Sequence, residues 1–355
     1  MDKIRLLAGA LLVLVCLSAT ASVSTSLTWT WHNPPTPDAL TTIAYGGGIY
    51  VTAGQDGVIY TSHDGNTWSR ESSIIGAGGE YRAILYGNGL FVLAGTDAAG
   101  AVHVTSSPDG VVWTDSVVAV PLIGGFFKLQ LELAYGNGTY ILMGGGADAT
   151  SSDGTSWSVN PIAFSSEAEF PSLLFANGVF IKFGVANSHD DIYYSTDGIT
   201  WTASTSLRDI ADQGPYATDG HTFYLFFENA NFVYTSTDGN VWTKHASIGN
   251  LPMQETFMSW DGTHFRSIGF DASARTHAFS STDGLTWSQS SDLSGTLPSS
   301  TVVFDGTHYF SPTAGFVEVL SSTDFQTWTP ALVASTGPQA DFDDILHAGG
   351  HFVAR

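Results

Sequence analysis

A seven-residue motif recurs along the chain and limits the folds that the chain can adopt. It begins with Ser, has Asp-Gly at its third and fourth positions and ends with Trp, as in Ser62 to Trp68; in the last copy Phe325 replaces the Gly. Successive motif tryptophans are 41 to 45 residues apart. The seven Asp and Trp pairs are Asp64 and Trp68, Asp109 and Trp113, Asp153 and Trp157, Asp197 and Trp201, Asp238 and Trp242, Asp283 and Trp287, and Asp324 and Trp328. A repeat of this length is typical of propellers and other repeat architectures.

A second motif, in most copies an aromatic residue followed by a glycine-containing turn, precedes each copy of the first. Its copies begin at Tyr45, Tyr86, Tyr135, Phe175, Thr218, Trp260 and Phe304, with an eighth at His347. The intervening runs are rich in Val, Ile, Tyr, Phe and Thr, which favour strands. Asn-Gly and Asp-Gly sites favour tight hairpin turns, because Gly tolerates a positive φ. Each unit is therefore predicted to be two hairpins, that is, four antiparallel strands.

Such units are expected to form an all-β propeller of four-stranded antiparallel blades within residues 22–355. We favour eight blades, because residues 345–355 could supply inner strands and Leu27 to Trp31 an outer strand of a blade split between the termini. The alternative is seven blades, with a terminal hairpin packed elsewhere. The expected blades are 40–70, 81–116, 130–160, 171–203, 214–245, 256–289, 300–331, and 342–355 with 27–31.

The N-terminal segment has the pattern of a secretory signal peptide. Lys3 and Arg5 precede an apolar run, and a small-x-small site ends at Ala21. The run of about 12 residues is shorter than the roughly 20 needed to span a bilayer. We expect residues 1–21 to be removed, together with the single cysteine, Cys16, and the mature chain to be secreted or periplasmic, without a membrane span.

Composition restricts the partners. The chain has 33 acidic and 11 basic residues, a net charge of −22. This disfavours nucleic acids, whose phosphates need Lys and Arg for neutralisation. One cysteine leaves no disulfide framework and no cysteine-based zinc site. No motif for a metal or cofactor is present, so we expect neither, and we expect a monomer.

The Ser-x-Asp-Gly-x-Thr-Trp motif resembles the Asp-box, or bacterial-neuraminidase repeat, of sialidase-type propellers. Each copy is one residue shorter than the usual family motif. The resemblance implies a propeller in which the motif residues, Asp64 and Trp68 among them, are structural. It also implies, for a sialidase, an arginine triad, a Tyr–Glu pair and an acidic Asp. The arginines here are scattered within the repeat, so the sialidase catalytic set is not expected and no catalytic residue is identified.

One row of residues at the entry to the innermost strands predicts a ligand site. Aligning the units on the glycine turn brings acidic and aromatic residues to the channel mouth, on the face that bears the connections between blades. Carboxylates beside aromatic rings suit a sugar, a cation or a basic peptide. The predicted site residues are Glu80, Tyr81, Arg82, Glu169, Phe170, Asp212, Glu255, Asp341 and Phe342.

The sequence thus predicts a secreted binding or scaffold propeller that recognises a glycan, cation or protein at this mouth. Two alternatives remain open. The first is a glycoside hydrolase on neutral polysaccharide, because two facing carboxylates are enough for that reaction. The second is a factor that assists assembly of a protein complex. Enzymatic activity is left undecided, with binding preferred.

Overall fold

The computed structural model describes residues 39–120, 131–144, 147–161, 173–186, 189–208, 213–227, 232–246, 254–270, 273, 275–293, 298, 302–312, 318–332, 345–348 and 351–354. These residues form strands and turns with no helix, so no helix among them could span a membrane. Residues 1–21, with Cys16, and Leu27 to Trp31 lie outside the described residues.

Seven four-stranded antiparallel sheets follow one another along the chain, and each is one blade. Blade 1 has β1 (Leu40–Gly46), β2 (Ile49–Gly54), β3 (Ile59–Ser62) and β4 (Ser69–Glu71). Blade 2 has β5 (Glu80–Gly87), β6 (Leu90–Thr96), β7 (Val102–Ser107) and β8 (Thr114–Val117). Blade 3 has β9 (Glu132–Gly136), β10 (Thr139–Met143), β11 (Ala147–Ser151) and β12 (Ser158–Pro161).

The remaining blades have the same order of strands. Blade 4 has β13 (Leu174–Ala176), β14 (Val179–Ala186), β15 (His189–Ser195) and β16 (Thr202–Arg208). Blade 5 has β17 (Gln213–Thr218), β18 (Phe223–Phe227), β19 (Phe232–Ser236) and β20 (Thr243–Ala246). Blade 6 has β21 (Gln254–Trp260), β22 (Phe265–Phe270), β23 (Thr276–Ser281) and β24 (Ser288–Asp292), and blade 7 has β25 (Val303–Phe304), β26 (Tyr309–Pro312), β27 (Glu318–Ser322) and β28 (Thr329–Leu332). A separate hairpin follows, β29 (Ile345–Ala348) and β30 (His351–Ala354).

The ring closes with seven blades. Each seam between neighbouring blades has its own apolar cluster. The closing cluster joins Leu40, Tyr50 and Trp68 of blade 1 to Phe310 and Val319 of blade 7. Because blade 7 packs directly on blade 1, this seam has no room for another sheet. The preferred count of eight is therefore not supported and the alternative count of seven is confirmed. Of the eighth unit, the described residues form the β29–β30 hairpin.

Aromatic side chains and glycines fit together where the innermost strands end. Tyr86 packs on Gly46 of the preceding blade, where an added Cβ would lie 2.0 Å from its ring. Phe175 packs on Gly136 in the same way, at 2.3 Å. Blade 4 has Ala176 at the glycine position, and the next blade has the small Thr218 in place of the aromatic residue. The turn motif is therefore a contact between blades as well as a hairpin.

Tyrosine hydroxyls also join neighbouring blades. Tyr140 of blade 3 donates to the Gly87 carbonyl oxygen of blade 2 at 2.6 Å. Tyr309 of blade 7 donates to Asp261 Oδ2 of blade 6 at 2.6 Å. Tyr50 of blade 1 donates to Asp305 Oδ2 of blade 7, across the closing seam. Burial and the Asp305 carboxylate raise the pKa of Tyr50, so this hydroxyl stays a donor.

Candidate functional site

The mouth is the end of the ring where the innermost strand of each blade begins. Four polar side chains lie there on three successive inner strands: Thr41 on β1, Glu80 and Arg82 on β5, and Glu132 on β9. All four are partly exposed. Ligand sites contain a small number of polar groups that fix the orientation of the ligand, so these four side chains are candidates. We call these four residues the mouth cluster.

Glu80 and Arg82 form an ion pair at the entry to β5. Arg82 Nη2 donates to Glu80 Oε2, and the two side chains are 21% and 24% exposed for Arg82 and Glu80, respectively. The buried Nε of Arg82 has no hydrogen-bond partner among the described residues. A buried donor without a partner costs roughly 1–3 kcal/mol.

Thr41 and Glu132 connect neighbouring blades at the same end. The Thr41 hydroxyl donates to the Tyr81 carbonyl oxygen at 2.6 Å, from blade 1 to blade 2. The Leu173 amide donates to Glu132 Oε2 at 2.7 Å, from the start of blade 4 to blade 3. These bonds hold the wall of the mouth in a fixed geometry, which is what preorganised recognition requires.

Tyr81 corrects one part of the sequence prediction. It is fully buried in the cluster between blades 1 and 2, so its ring cannot be a plate for a ligand. Successive side chains in a strand point to opposite faces. Tyr81 lies in the seam, whereas Glu80 and Arg82, on either side of it at an irregularity of β5, contact each other. Burial raises the pKa of the Tyr81 phenol.

Most other predicted site residues fall outside the described part of the chain. This applies to Glu169, Phe170, Asp212, Asp341 and Phe342. Glu255 lies on the inner strand β21, opposite Gly269 of β22, and its side chain is likewise not described. The structure thus brings Glu80 and Arg82 together at the mouth and leaves these six positions as predictions.

The repeated Ser-x-Asp-Gly motifs form turns that are held by their own side chains. Ser62 Oγ accepts a hydrogen bond from the Gly65 amide at 2.9 Å, and Asp64 Oδ1 accepts from the amides of Asn66 and Thr67. The same pattern is present at Asp109, Asp153, Asp197, Asp238, Asp283 and Asp324. These carboxylates are therefore occupied by the backbone of their turns.

A buried charge pair, which the sequence reading missed, lies beside the mouth cluster. Lys182 Nζ donates to Asp148 Oδ2 across the seam between blades 3 and 4, and neither side chain is exposed. The Lys182 nitrogen also lies 4.2 Å from the centre of the Trp201 ring, a cation–π contact. Burial lowers the pKa of Lys182, and the charges of Asp148 and Glu132 oppose that effect. In the sequence, the signal for this pair was a lysine within a strand of β-branched and aromatic residues.

No group of three or more His, Cys, Asp or Glu residues is placed to hold a metal ion in the part of the chain that the structure describes. No protein-family model and no curated protein matches the chain.

Several solved propellers share the fold at low identity. One is YCF48 bound to a D1 peptide, with 14% identity, a TM-score of 0.53, and coverage of 85% of this chain and 98% of that one. A catalytically inactive virginiamycin B lyase from Staphylococcus aureus with quinupristin has 10% identity, a TM-score of 0.53, and coverage of 77% and 91%. An ancestral GH74 enzyme has 14% identity, a TM-score of 0.55, and coverage of 93% of this chain and 50% of its own. These structural similarities show the β-propeller fold and leave the activity open.

Proposed function

We propose that this protein is a binding propeller that recognises a neutral glycan at the mouth cluster. One observation carries the proposal. A hydroxyl, two carboxylates and a guanidinium lie at the same end of three successive inner strands, all partly exposed. Fixed donors and acceptors of this kind match the hydroxyl groups of a sugar.

The charges of the cluster favour a neutral ligand over an anionic one. The Arg82 charge is balanced by Glu80, its partner in the ion pair. The chain as a whole carries a net charge of −22, which repels anions. A sugar can hydrogen-bond to the partly exposed guanidinium and carboxylate groups of the cluster without bringing a charge of its own.

The test is the binding of the purified chain to an array of neutral and acidic oligosaccharides. We expect Arg82→Ala and Glu132→Gln each to weaken binding to the neutral glycans about tenfold, the value of one strong hydrogen bond. Arg70→Ala is the matched control, because Arg70 is exposed on the outermost strand β4 of blade 1. Absence of binding to any glycan, or equal binding by all three variants, would refute the proposal.

The same purified chain also tests the two alternative functions, a glycoside hydrolase and an assembly factor. Release of new reducing ends from a bound polysaccharide would favour a glycoside hydrolase. Binding of peptides, without glycans, would favour an assembly factor; the fold similarity to a peptide-bound propeller is the reason to include that arm. Among the described residues, Glu80 pairs with Arg82, and Glu132 accepts a hydrogen bond from the Leu173 amide. Each carboxylate therefore already has a partner, which favours binding over hydrolysis.

We further propose that residues 1–21 form a cleaved signal peptide and that the mature chain is a secreted or periplasmic monomer. The support is the sequence pattern around Lys3, Arg5 and Ala21. The turn hydrogen bonds of the Ser-x-Asp-Gly motifs support a relationship to Asp-box propellers. Mass determination of the mature N-terminus checks the cleavage site.

A further inference from the structure

His103 lies between two carboxylates in blade 2, near the beginning of β7. Its Nδ1 is 3.0 Å from both side-chain oxygens of Asp115, on the neighbouring strand β8. Its Nε2 is 3.4 Å from Asp97 Oδ2, in the connection between β6 and β7. The imidazole is only 12% exposed, and the two carboxylates are about 30% exposed, at 29% and 30%. Both ring nitrogens thus face an acceptor.

Only the protonated imidazole satisfies both contacts. A neutral histidine carries one N–H donor and one lone pair, whereas the imidazolium carries two donors. In the neutral ring, one nitrogen lone pair would therefore face a carboxylate oxygen without a proton between them. Histidine is the side chain whose ordinary charge change falls between about pH 5 and pH 8.

Asp97 organises the connection that His103 holds. Asp97 Oδ1 accepts hydrogen bonds from the amides of Ala99 and Ala101, at 2.9 and 2.8 Å. The hydrogen bond from the Ala101 amide is the largest effect that lowers the pKa of the Asp97 carboxyl. The bond from the Ala99 amide and the charge of His103 lower it further. The carboxylate therefore remains ionised across the range in which histidine titrates.

The connection adjoins the mouth cluster. Thr96, the residue before Asp97, pairs with Glu80 across β5 and β6. On its other side the connection packs on the link from blade 1 to blade 2, where a Cβ added to Gly78 would lie 3.1 Å from the Ala98 methyl group. A change in the position of residues 97–101 would therefore also displace Glu80.

We propose that His103 is a proton-dependent clamp, which in its imidazolium form fixes residues 97–101 to β8 and so holds the blade 2 side of the mouth in its binding geometry. This inference rests on the proposed function for its effect on ligand affinity, and on the geometry alone for the clamp itself. Loss of the proton breaks one of the two contacts and loosens the connection.

The other groups near the clamp do not replace it. The link from blade 1, residues 72–79, contains no titratable side chain, and β6 presents Gly95 opposite His103. The flanking Glu71 accepts a hydrogen bond from Thr61, and Glu80 is paired with Arg82. Among the other described neighbours, Asp56 accepts a hydrogen bond from the Gly78 amide at 2.7 Å, and Tyr81 is neutral because burial raises its pKa. Asp97 and Asp115 are thus the charges on which the clamp depends.

Blade 6 offers an internal comparison. His277 occupies the equivalent position, four residues before the motif serine, and it is buried. Its Nδ1 lies 3.2 Å from the Ser290 carbonyl oxygen, and its Nε2 lies 3.7 Å from Asp292 Oδ1. The equivalent histidine thus has a backbone carbonyl oxygen at Nδ1, where His103 has a carboxylate.

The experiment is an NMR titration of the full-length mature chain from pH 5.5 to pH 8. It follows the His103 ring and the backbone amides of Ala99 and Ala101, with amide–water exchange rates normalised to their intrinsic values. We expect the amides to titrate with the ring and to exchange about fivefold faster at pH 8, the value of one partly exposed ion pair. In His103→Gln and in Asp115→Asn the amides should no longer follow pH over this range. His63→Gln, at an exposed position in blade 1, is the control and should behave as the wild type.

The glycan array at pH 5.5 and pH 8 separates failure of the clamp from failure of the proposed function. Binding about fivefold tighter at pH 5.5, lost in His103→Gln, supports both. Amides that titrate with the ring without glycan binding at either pH support the clamp and refute the binding proposal. A ring that titrates while both amides stay unchanged overturns the clamp, whatever the array shows.

Discussion

Asp64 and its counterparts are the residues on which each repeated turn depends. Hydrogen bonds from the amides of Thr67 and Asn66 lower the pKa of Asp64 to about 2, although the side chain is exposed. The pKa values of the other six motif carboxyls are also lowered. The exposed carboxylates thus stabilise the fold through their own turns.

The lowered pKa of Asp64 predicts acid sensitivity with a definite sign. Its unfolded pKa is about 3.9, so its stabilising contribution is complete above that pH and is lost as pH falls toward about 2. Asp64→Asn keeps an oxygen acceptor but removes this titration. We expect the melting temperature of Asp64→Asn to fall less between pH 5 and pH 2.5 than that of the wild type. Parallel pH profiles for the two proteins would show that the turn does not hold the ionised form.

Phe325 shows how a residue that breaks the repeat is accommodated. It stands where the other six motifs have glycine, and it adopts a φ of 62°. Its ring is buried, with Tyr309 and Trp328 against it in the cluster between blades 6 and 7. The apolar contact there compensates for a backbone conformation that non-glycine residues rarely adopt.

At the scale of strands, tyrosine hydroxyls on the second strand of a blade fix it to the blade before. The acceptor differs between seams. Tyr140 uses the neutral Gly87 carbonyl, whereas Tyr50 uses the Asp305 carboxylate. Burial opposes ionisation of Asp305, but the hydrogen bonds from Tyr50 and from the turn amides outweigh it and lower its pKa. A bond to an ionised acceptor is stronger than one to a neutral acceptor.

This difference predicts unequal costs for two similar substitutions. Tyr50→Phe should lower the free energy of unfolding by about 2 kcal/mol, because a charged acceptor loses its donor. Tyr140→Phe, the matched change at an ordinary seam, should lower it by about 1 kcal/mol. Chemical denaturation of both variants at neutral pH measures the two values. An equal or smaller loss for Tyr50→Phe would contradict the role assigned to the closing seam.

At the scale of the molecule, the sequence predicted the repeating unit but not the number of blades. Strands and turns depend on local patterns, such as the Asn88-Gly89 turn, where both residues have positive φ. The count depends on which blade packs on which. The pattern at His347 looks like the other inner hairpins, yet Phe310 already packs against Tyr50 at the closing seam.

The mouth could be predicted only in part, for a related reason. The alignment correctly placed Glu80 and Arg82 at the entry to an inner strand. It also included Tyr81, because a sequence row does not show that adjacent side chains point to opposite faces. Thr41 and Glu132 were missed, since they lie a few positions further along their strands than the aligned rows. Lys182 was missed because its partner, Asp148, belongs to another blade.

The central claim, that seven blades close directly on one another, is tested by the distance between two aromatic rings. The Tyr50 and Phe310 ring centres are 4.6 Å apart although 260 positions separate them in the sequence. We expect a strong nuclear Overhauser effect between these rings in a sample with labelled Tyr and Phe. The Tyr45–Tyr50 pair, at 4.5 Å within blade 1, is the positive control. A signal for the control without one for Tyr50 and Phe310 would mean that another element separates blade 7 from blade 1.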